Sequence, residues 1–350
     1  MKTYIFFLAG LARPVDQLEK QMVMYLAGLL RLLFIIEIKE KNKGHFQGRE
    51  RGVECLILSL SFFMIMASLF VNHLTTLDFS YLCPKRGLVG ETWIVDVILT
   101  GDLNEEGMVF DFGHVKKQVK AWIDHLADHR LLVPLSHDKL HCTGENGYLT
   151  VRLTTDEGGL IECKAPEQAI LTVAADEITP ANLKPILESR VMAELPDNLS
   201  GIQLTLSPEV IDGAYYHYSH GLKKHQGDCQ RIAHGHRSAI NITVNGQRNP
   251  LLESDWAALW KDIYIGSEED LLTTETIHGQ EHLTFGYTAK QGDFELTIPK
   301  KCACVIQSDT TVELLVKHIA ETLAAQHPGQ IVQVIAYEGF NKGAIAEACC

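Results

Sequence analysis

The sequence predicts an α+β chain in which one module is written twice, and three observations carry that reading. Short stretches of alternating apolar and polar residues mark half-buried strands. Apolar residues at helical spacing mark amphipathic helices. Both kinds of segment recur in the same order in the two halves of the 350 residues. In the first half, Ala67–Leu77 and Thr92–Thr100 read as strands, and the turn 101–107 (GDLNEEG) follows. Met108–Phe112 leads into a helix over Gly113–Leu126, whose Val115, Val119, Trp122, Ile123 and Leu126 fall on one face. Thr179-Pro180 is a cap followed by proline at the first helical position, which opens a second helix through Ala181–Met192. Ile202–Leu206 closes this half as a strand.

The second half repeats the order. Ala239–Val244 is a strand ending at the turn 245–247 (NGQ), Trp256–Ile263 a short helical segment, and Phe294–Ile298 a strand. Thr310-Thr311 precedes a helix over Val312–Leu323, and Ile331–Tyr337 is expected as the last strand. Matched landmarks are offset by 129 (Glu209 to Glu338), 131 (Thr179 to Thr310), 145 (Gly90 to Gly235) and 153 (His129 to His282). Drift of this kind puts the insertions in loops. The modules are expected at 66–210 and 211–350.

Composition narrows the function classes. With 46% hydrophobic and 21% charged residues, the chain can bury a core and is not disordered. A formal charge of -13 argues against a nucleic-acid partner, which would call for a basic patch or stripe. Nine irregularly spaced cysteines make no disulfide framework, so a reduced, cytoplasmic chain is expected. Cys302 and Cys304, and the terminal Cys349-Cys350, read as ordinary thiols. Residues 1–65 differ from the rest, with nine Lys and Arg against six Asp and Glu. They hold the apolar run Met22–Ile38, broken by Arg31 and Glu37, and the start of the uncharged run Leu56–Val71. The second run falls short of the roughly 20 residues that span a bilayer, and it comes too late for a signal peptide. The extension is either an apolar anchor or sequence upstream of the true start. The second reading is preferred, with translation from Met64 or Met66, because a strand follows at once; a membrane partner is not expected.

The densest chemistry lies in residues 215–236, YYHYSHGLKKHQGDCQRIAHGH. His234 and His236 alternate at the start of a strand, so both imidazoles face the same way. His220 lies far enough upstream to return on a neighbouring strand as a third ligand. Three histidines with an open fourth position are the pattern of a catalytic zinc site, whereas structural sites are closed by four ligands. Cys229 precedes the pair on an expected loop and serves either as a fourth ligand or as a nearby base. His217 and His225 compete as ligands and rank lower.

The run His220…Cys229…His234-Gly235-His236 resembles the family of 6-pyruvoyltetrahydropterin and 6-carboxytetrahydropterin synthases, in which a histidine, a catalytic cysteine and an HGH motif follow in that order. The first half is similar to the family as well. Gly107–Lys117 (GMVFDFGHVKK) looks like its strand-to-helix motif, and Ala127–Leu132 (ADHRLL) like its Asp-His dyad. Thr179–Leu183 and Ala336–Gly339 (AYEG) match later landmarks. The resemblance covers about residues 68–345. It implies tandem tunnelling-fold modules, each a four-stranded antiparallel sheet with two helices on one face, associating into homo-oligomeric barrels. It also implies zinc at His220, His234 and His236, catalysis by Cys229 with Asp128 and His129, and 7,8-dihydroneopterin triphosphate as substrate. Glu338 matches the family's pterin anchor, a carboxylate suited to paired hydrogen bonds with a guanidine-like edge, and Glu209 is its counterpart in the first half. The implied activity is a lyase forming 6-carboxy-5,6,7,8-tetrahydropterin on the queuosine or deazapurine route. The alternatives are the 6-pyruvoyl product or a non-catalytic pterin-binding subunit.

Two departures shape the expected site. The first half has Val89-Gly90-Glu91 in place of HGH and should bind no zinc. The second half has Glu281-His282 at the expected dyad position, with Glu for Asp. In the family the dyad is thought to reach the zinc site from a neighbouring subunit. Asp128-His129 therefore either completes the site from the first half, or Glu281-His282 serves locally and the first half is scaffold.

Overall fold

A long antiparallel hairpin comes first: β1 (Ala67–Cys83) pairs along its length with β2 (Gly87–Gly101). The computed structural model describes residues 66–350; the extension 1–65, with its expected start or anchor, lies outside the described residues. A helical run, α1 (112–127), follows. In it the π-helical turn Val115–Val119 links Phe112–His114 to Lys120–Ala127, and the Asp111 carboxylate caps the first turn. Then come β3 (Leu131–Pro134), β4 (Leu140–Glu145), β5 (Tyr148–Thr154), β6 (Leu160–Pro166), β7 (Ile170–Val173), α2 (Pro180–Met192) and β8 (Leu199–Pro208). Thr179 caps α2 by accepting the Asn182 N–H, a contact worth about 1 kcal/mol.

Residues 215–350 run through a similar order. They give β9 (Tyr215–His220), β10 (His234–Val244), β11 (Gln247–Arg248), α3 (Pro250–Leu259), β12 (Ile263–Ser267), β13 (Leu271–Ile277), β14 (Gln280–Ala289) and β15 (Gly292–Pro299). β16 (Ala303–Ile306), α4 (Val312–Gln326), β17 (Ile331–Tyr337) and β18 (Gly343–Cys349) complete the chain. Two expectations are corrected. The helix expected over 256–263 begins earlier, because Asn249 caps it by accepting the Leu252 N–H and Pro250 sits in its first turn; Ile263 already belongs to β12. Ile331–Tyr337 is not the last strand, since β18 folds back on it.

The strands form three sheets rather than one four-stranded antiparallel sheet per half. The first runs β7-β3-β1-β2-β8, and the second β16-β12-β9-β10-β17-β18 with β11 beside β10. In both, strands after the first helix join in parallel, β3 on β1 and β12 on β9. The third sheet, β13-β14-β15-β6-β5-β4, takes three strands from each half and is joined by β15 on β6, with Leu296 opposite Cys163. Each outer sheet buries one face under its helices. Leu77, Phe79 and Val97 meet Val119, Ile123 and Leu187 on one side, and Tyr218, Ile240 and Val334 meet Leu315 and Ile319 on the other. Among the described residues no helix is long and apolar enough to cross a membrane.

The two outer sheets touch where the hairpins β1–β2 and β9–β10 cross. Ser80 and Ser219 share a hydroxyl hydrogen bond of 2.7 Å. Gly90 and Gly235 make the approach feasible: a Cβ on Gly235 would lie 2.6 Å from the Gly90 Cα, and one on Gly90 would overlap the Tyr218 carbonyl. Around this crossing the chemistry collects.

Candidate metal centre

His220 and His234 lie directly opposite one another across the β9–β10 ladder, with His236 two residues on and on the same face. All three rings are buried. Their ligating nitrogens lie within 4.8 Å of one another, and the Nε2 atoms of His220 and His236 are 3.2 Å apart. Each Nδ1 has an oxygen beside it: the Thr310 carbonyl at 2.9 Å for His220, the Arg231 carbonyl at 2.9 Å for His234, and the Asp78 carboxylate at 3.3 Å for His236. An Nδ1–H directed outward leaves each Nε2 lone pair directed inward. Burial, with the neighbouring imidazoles adding to it, holds His220 and His234 well below the usual histidine range, so both rings are neutral. His234 Nε2 is buried without a hydrogen-bond partner. Three converging imidazoles, with one ring nitrogen orphaned, fit a zinc ion with an open fourth position.

Cys229 sits in the single 3-10 turn Asp228–Gln230 of the loop between β9 and β10. The loop is pinned rather than free. The Leu222 N–H donates to the Cys229 carbonyl at 2.9 Å, and Tyr287 and Gln291 bind the neighbouring Gln230 and Asp228. Asp128 ends α1, and His129 follows in the left-handed region with φ 53°. The His129 ring stands 4.9 Å from that of His234, centroid to centroid, and the ligating atoms of His129, Cys229 and His234 form a second group within 4.8 Å. Asp128 Oδ2 lies 2.7 Å from His129 Nδ1. Burial opposes charge on this ring, but Asp128 and Cys229 overcome it and hold His129 well above the usual range. Glu338, just past β17, brings Oε1 to 4.0 Å from His236 Nε2. Thus the dyad residues of the first half and the histidines, cysteine and Glu338 of the second converge within one chain.

Three expected participants stand elsewhere. His282 is buried on β14, where Nε2 accepts the Leu160 N–H at 3.1 Å and Nδ1 donates to the Gln280 carbonyl at 2.9 Å. Glu281 is exposed and pairs with Lys300. This corrects the dyad assignment. By sheet register Leu131 opposite Ser80 corresponds to Tyr264 opposite Ser219, so the counterpart of His129 is Asp262, which shares its left-handed backbone at φ 56°. Glu209 lines a separate cleft of about 190 Å³ with Asp212, Asn241 and Tyr337. Of the competing histidines, His225 is exposed, and His217 projects from the other face of β9 to donate to the Gly90 carbonyl at 2.7 Å.

At the crossing's other side, Arg86 grips Asp262 with two hydrogen bonds and donates to Tyr81 at 3.0 Å. Glu91 stands nearby, its carboxylate 3.9 Å from His217 Nδ1. Burial pushes the Glu91 carboxyl up to about 7, against the Thr92 N–H and Arg237. A raised folded-state value means that its stabilising contribution is complete below the unfolded value and is lost as pH rises through about 7. Glu91→Gln keeps an acceptor for Thr92 and removes the buried charge. In urea unfolding it should be nearly neutral at pH 5 and stabilise by about 1–3 kcal/mol at pH 8. An equal effect at both pH values would exclude this cause.

Reading residue types along the chain misses four groups at the centre: Asp78, Thr310, Arg231 and Lys342. Their signal is tertiary, because two act through backbone carbonyls and two through a carboxylate–ammonium pair, Asp78 Oδ2 to Lys342 Nζ at 2.9 Å.

The family model described as 6-pyruvoyl tetrahydropterin synthase matches residues 75–154 and 210–349, more than half of the chain. A protein of Pyrococcus horikoshii named "Putative 6-carboxy-5,6,7,8-tetrahydropterin synthase" is 40% identical over 62 residues, which cover 18% of this chain and 35% of that protein. A protein of Pyrococcus abyssi bearing the same name is 23% identical over 133 residues, covering 38% and 74%. The chain thus spans about a third of the first relative's length and about three quarters of the second's. Among solved structures, the 6-pyruvoyltetrahydropterin synthase of Plasmodium vivax aligns with 18% identity over 42% of this chain and 94% of its own, with a TM-score of 0.34.

Proposed function

The chain belongs to the 6-pyruvoyl tetrahydropterin synthase family, and from that premise we propose that it is a zinc-dependent lyase converting 7,8-dihydroneopterin triphosphate to 6-carboxy-5,6,7,8-tetrahydropterin. The observation that carries the reading is the convergence of Cys229 and Asp128-His129 on the three-histidine set within one chain. The names of the two Pyrococcus relatives favour the carboxy product. The recurring element order supports two tandem tunnelling-fold modules at 66–210 and 211–350, and the outer strands β8 and β18 are where homo-oligomers would extend the sheets.

A zinc ion held by His220, His234 and His236 supplies Lewis acidity toward the oxygens of the substrate side chain. Cys229 takes the proton from the adjacent carbon. His129, protonated and oriented by Asp128, returns a proton on the other side of the step. Glu338 accepts hydrogen bonds from the pterin edge.

The test is incubation of zinc-loaded protein with dihydroneopterin triphosphate and identification of the pterin by mass spectrometry. The expected result is 6-carboxy-5,6,7,8-tetrahydropterin with release of acetaldehyde and triphosphate. The 6-pyruvoyl product would reassign the reaction to triphosphate elimination, and tight binding without turnover would make the chain a pterin-binding subunit.

A further inference from the structure

We infer that Asp78 is a positioning residue of the metal centre: its carboxylate, supplied by β1, holds the His236 ring with Nε2 directed at the metal. The inference rests on the zinc reading above. Asp78 is 2% exposed, and a carboxylate so far from water is costly unless charges and hydrogen bonds compensate it. Three groups do so. Thr92 Oγ1 donates to Oδ1 at 2.6 Å, Lys342 donates to Oδ2 at 2.9 Å, and His236 Nδ1 lies 3.3 Å from Oδ1. His236 Nδ1 is buried and makes no other polar contact, so the Asp78 carboxylate faces it as a charge contact rather than as an aligned hydrogen bond. The other two histidines use carbonyls for the same purpose, so His236 alone is oriented by a charged group. A carboxylate in that position fixes the tautomer and raises the donor strength of the ligating nitrogen.

The main chain of the same residue fixes where that carboxylate stands. The Asp78 N–H donates to Asp128 Oδ1 at 2.8 Å, and its carbonyl accepts the His129 N–H at 2.7 Å. The loop carrying Glu338 also packs here, since a Cβ on Gly339 would crowd Asp78 Oδ1. One residue of the half without metal histidines is therefore in contact with the dyad, with a metal ligand and with the loop of the pterin anchor.

The test is zinc affinity, measured by competition with a chromophoric chelator, on wild type, Asp78→Asn, Thr92→Val and Lys342→Met, with thermal unfolding of the zinc-free proteins alongside. Asp78→Asn keeps size and an acceptor but not the charge, and should weaken zinc by about 10–100-fold. Thr92→Val removes the hydroxyl that steers Oδ1, and should weaken zinc in the same direction by a smaller factor. That variant carries the test if Asp78→Asn does not fold. Lys342→Met removes one of the three groups that compensate the carboxylate and should weaken zinc by less than Asp78→Asn does. Wild-type affinity in both Asp78→Asn and Thr92→Val would overturn the inference while leaving the zinc reading intact. A loss in Lys342→Met as large as that in Asp78→Asn, with Thr92→Val at wild-type affinity, would assign the effect to loop packing and overturn it too. Failure of the wild type to bind zinc would overturn the zinc reading and, with it, the inference.

Discussion

Cys229→Ala should retain one zinc per chain while turnover falls by roughly two to four orders of magnitude, the usual size of a general acid–base contribution. Zinc retention is expected because His220, His234 and His236 form a complete three-ligand face without the thiol, with carbonyls holding two of the rings through Nδ1 and the Asp78 carboxylate facing the third. The loss of turnover is expected because Cys229 is grouped with His129 and His234 rather than with the full histidine set. It is held there by a pinned turn, not by chance placement on a mobile loop. Removing a metal ligand would instead lower zinc content or stability, since binding free energy at a structural site is folding free energy. Zinc by atomic emission and turnover, measured on the same preparations, separate the two. A zinc-depleted mutant would overturn the base assignment, and a fully active one would take the cysteine out of the mechanism.

Asp128→Ala should cost about two orders of magnitude or more in turnover at unchanged zinc content, and Glu281→Ala should cost nothing. Asp128 accepts from His129 Nδ1 through Oδ2 and from the Asp78 N–H through Oδ1, so it fixes the ring's orientation and its proton together. It is also a main reason that His129 stays charged despite burial. Without it the His129 value falls, so the fraction carrying the proton at neutral pH drops. The limb of the pH–rate profile that reports this proton should therefore move to lower pH in the variant. Glu281 has no such partner, being paired with Lys300 on an exposed strand end. Full activity of Asp128→Ala, or a matching loss in Glu281→Ala, would reject a site composed from both halves.

The parts of this centre that strand geometry dictates were legible in the sequence. His234 and His236 share a face because side chains alternate along β10, and His220 joins them because the ladder returns it opposite His234. The place of Cys229 and Asp128-His129 beside them came from resemblance, since no local pattern brings residue 129 to residue 234. Glu281-His282 failed as a dyad for a countable reason. Offsets between the halves shrink after β10, because α3 is short and β12 starts soon after it, whereas the assignment assumed that they grew. Glu209 failed because matching the end of β8 to that of β17 says nothing about which cleft the next side chain enters. The acceptors behind the ligands were out of reach for another reason. The Thr310 and Arg231 carbonyls could belong to any residue, so their roles depend only on where the backbone passes. The third sheet was likewise hidden, because β6 and β15, which join its two parts, lie far apart in the sequence and no local pattern pairs them.

The crossing of β1–β2 over β9–β10 has a consequence for dilution. In an assembly that divides its catalytic groups between separate chains, the site persists only above the dissociation constant of the interface. Here His129 and His234 are joined by one covalent chain and held across the crossing by Ser80 with Ser219, and by β6 with β15. Covalent linkage replaces that dissociation constant with an effective concentration set by the connection itself. Thinning the solution leaves that quantity untouched. Asp128-His129 and the histidine set therefore stay together at any protein concentration, and they part only when the fold that joins them opens.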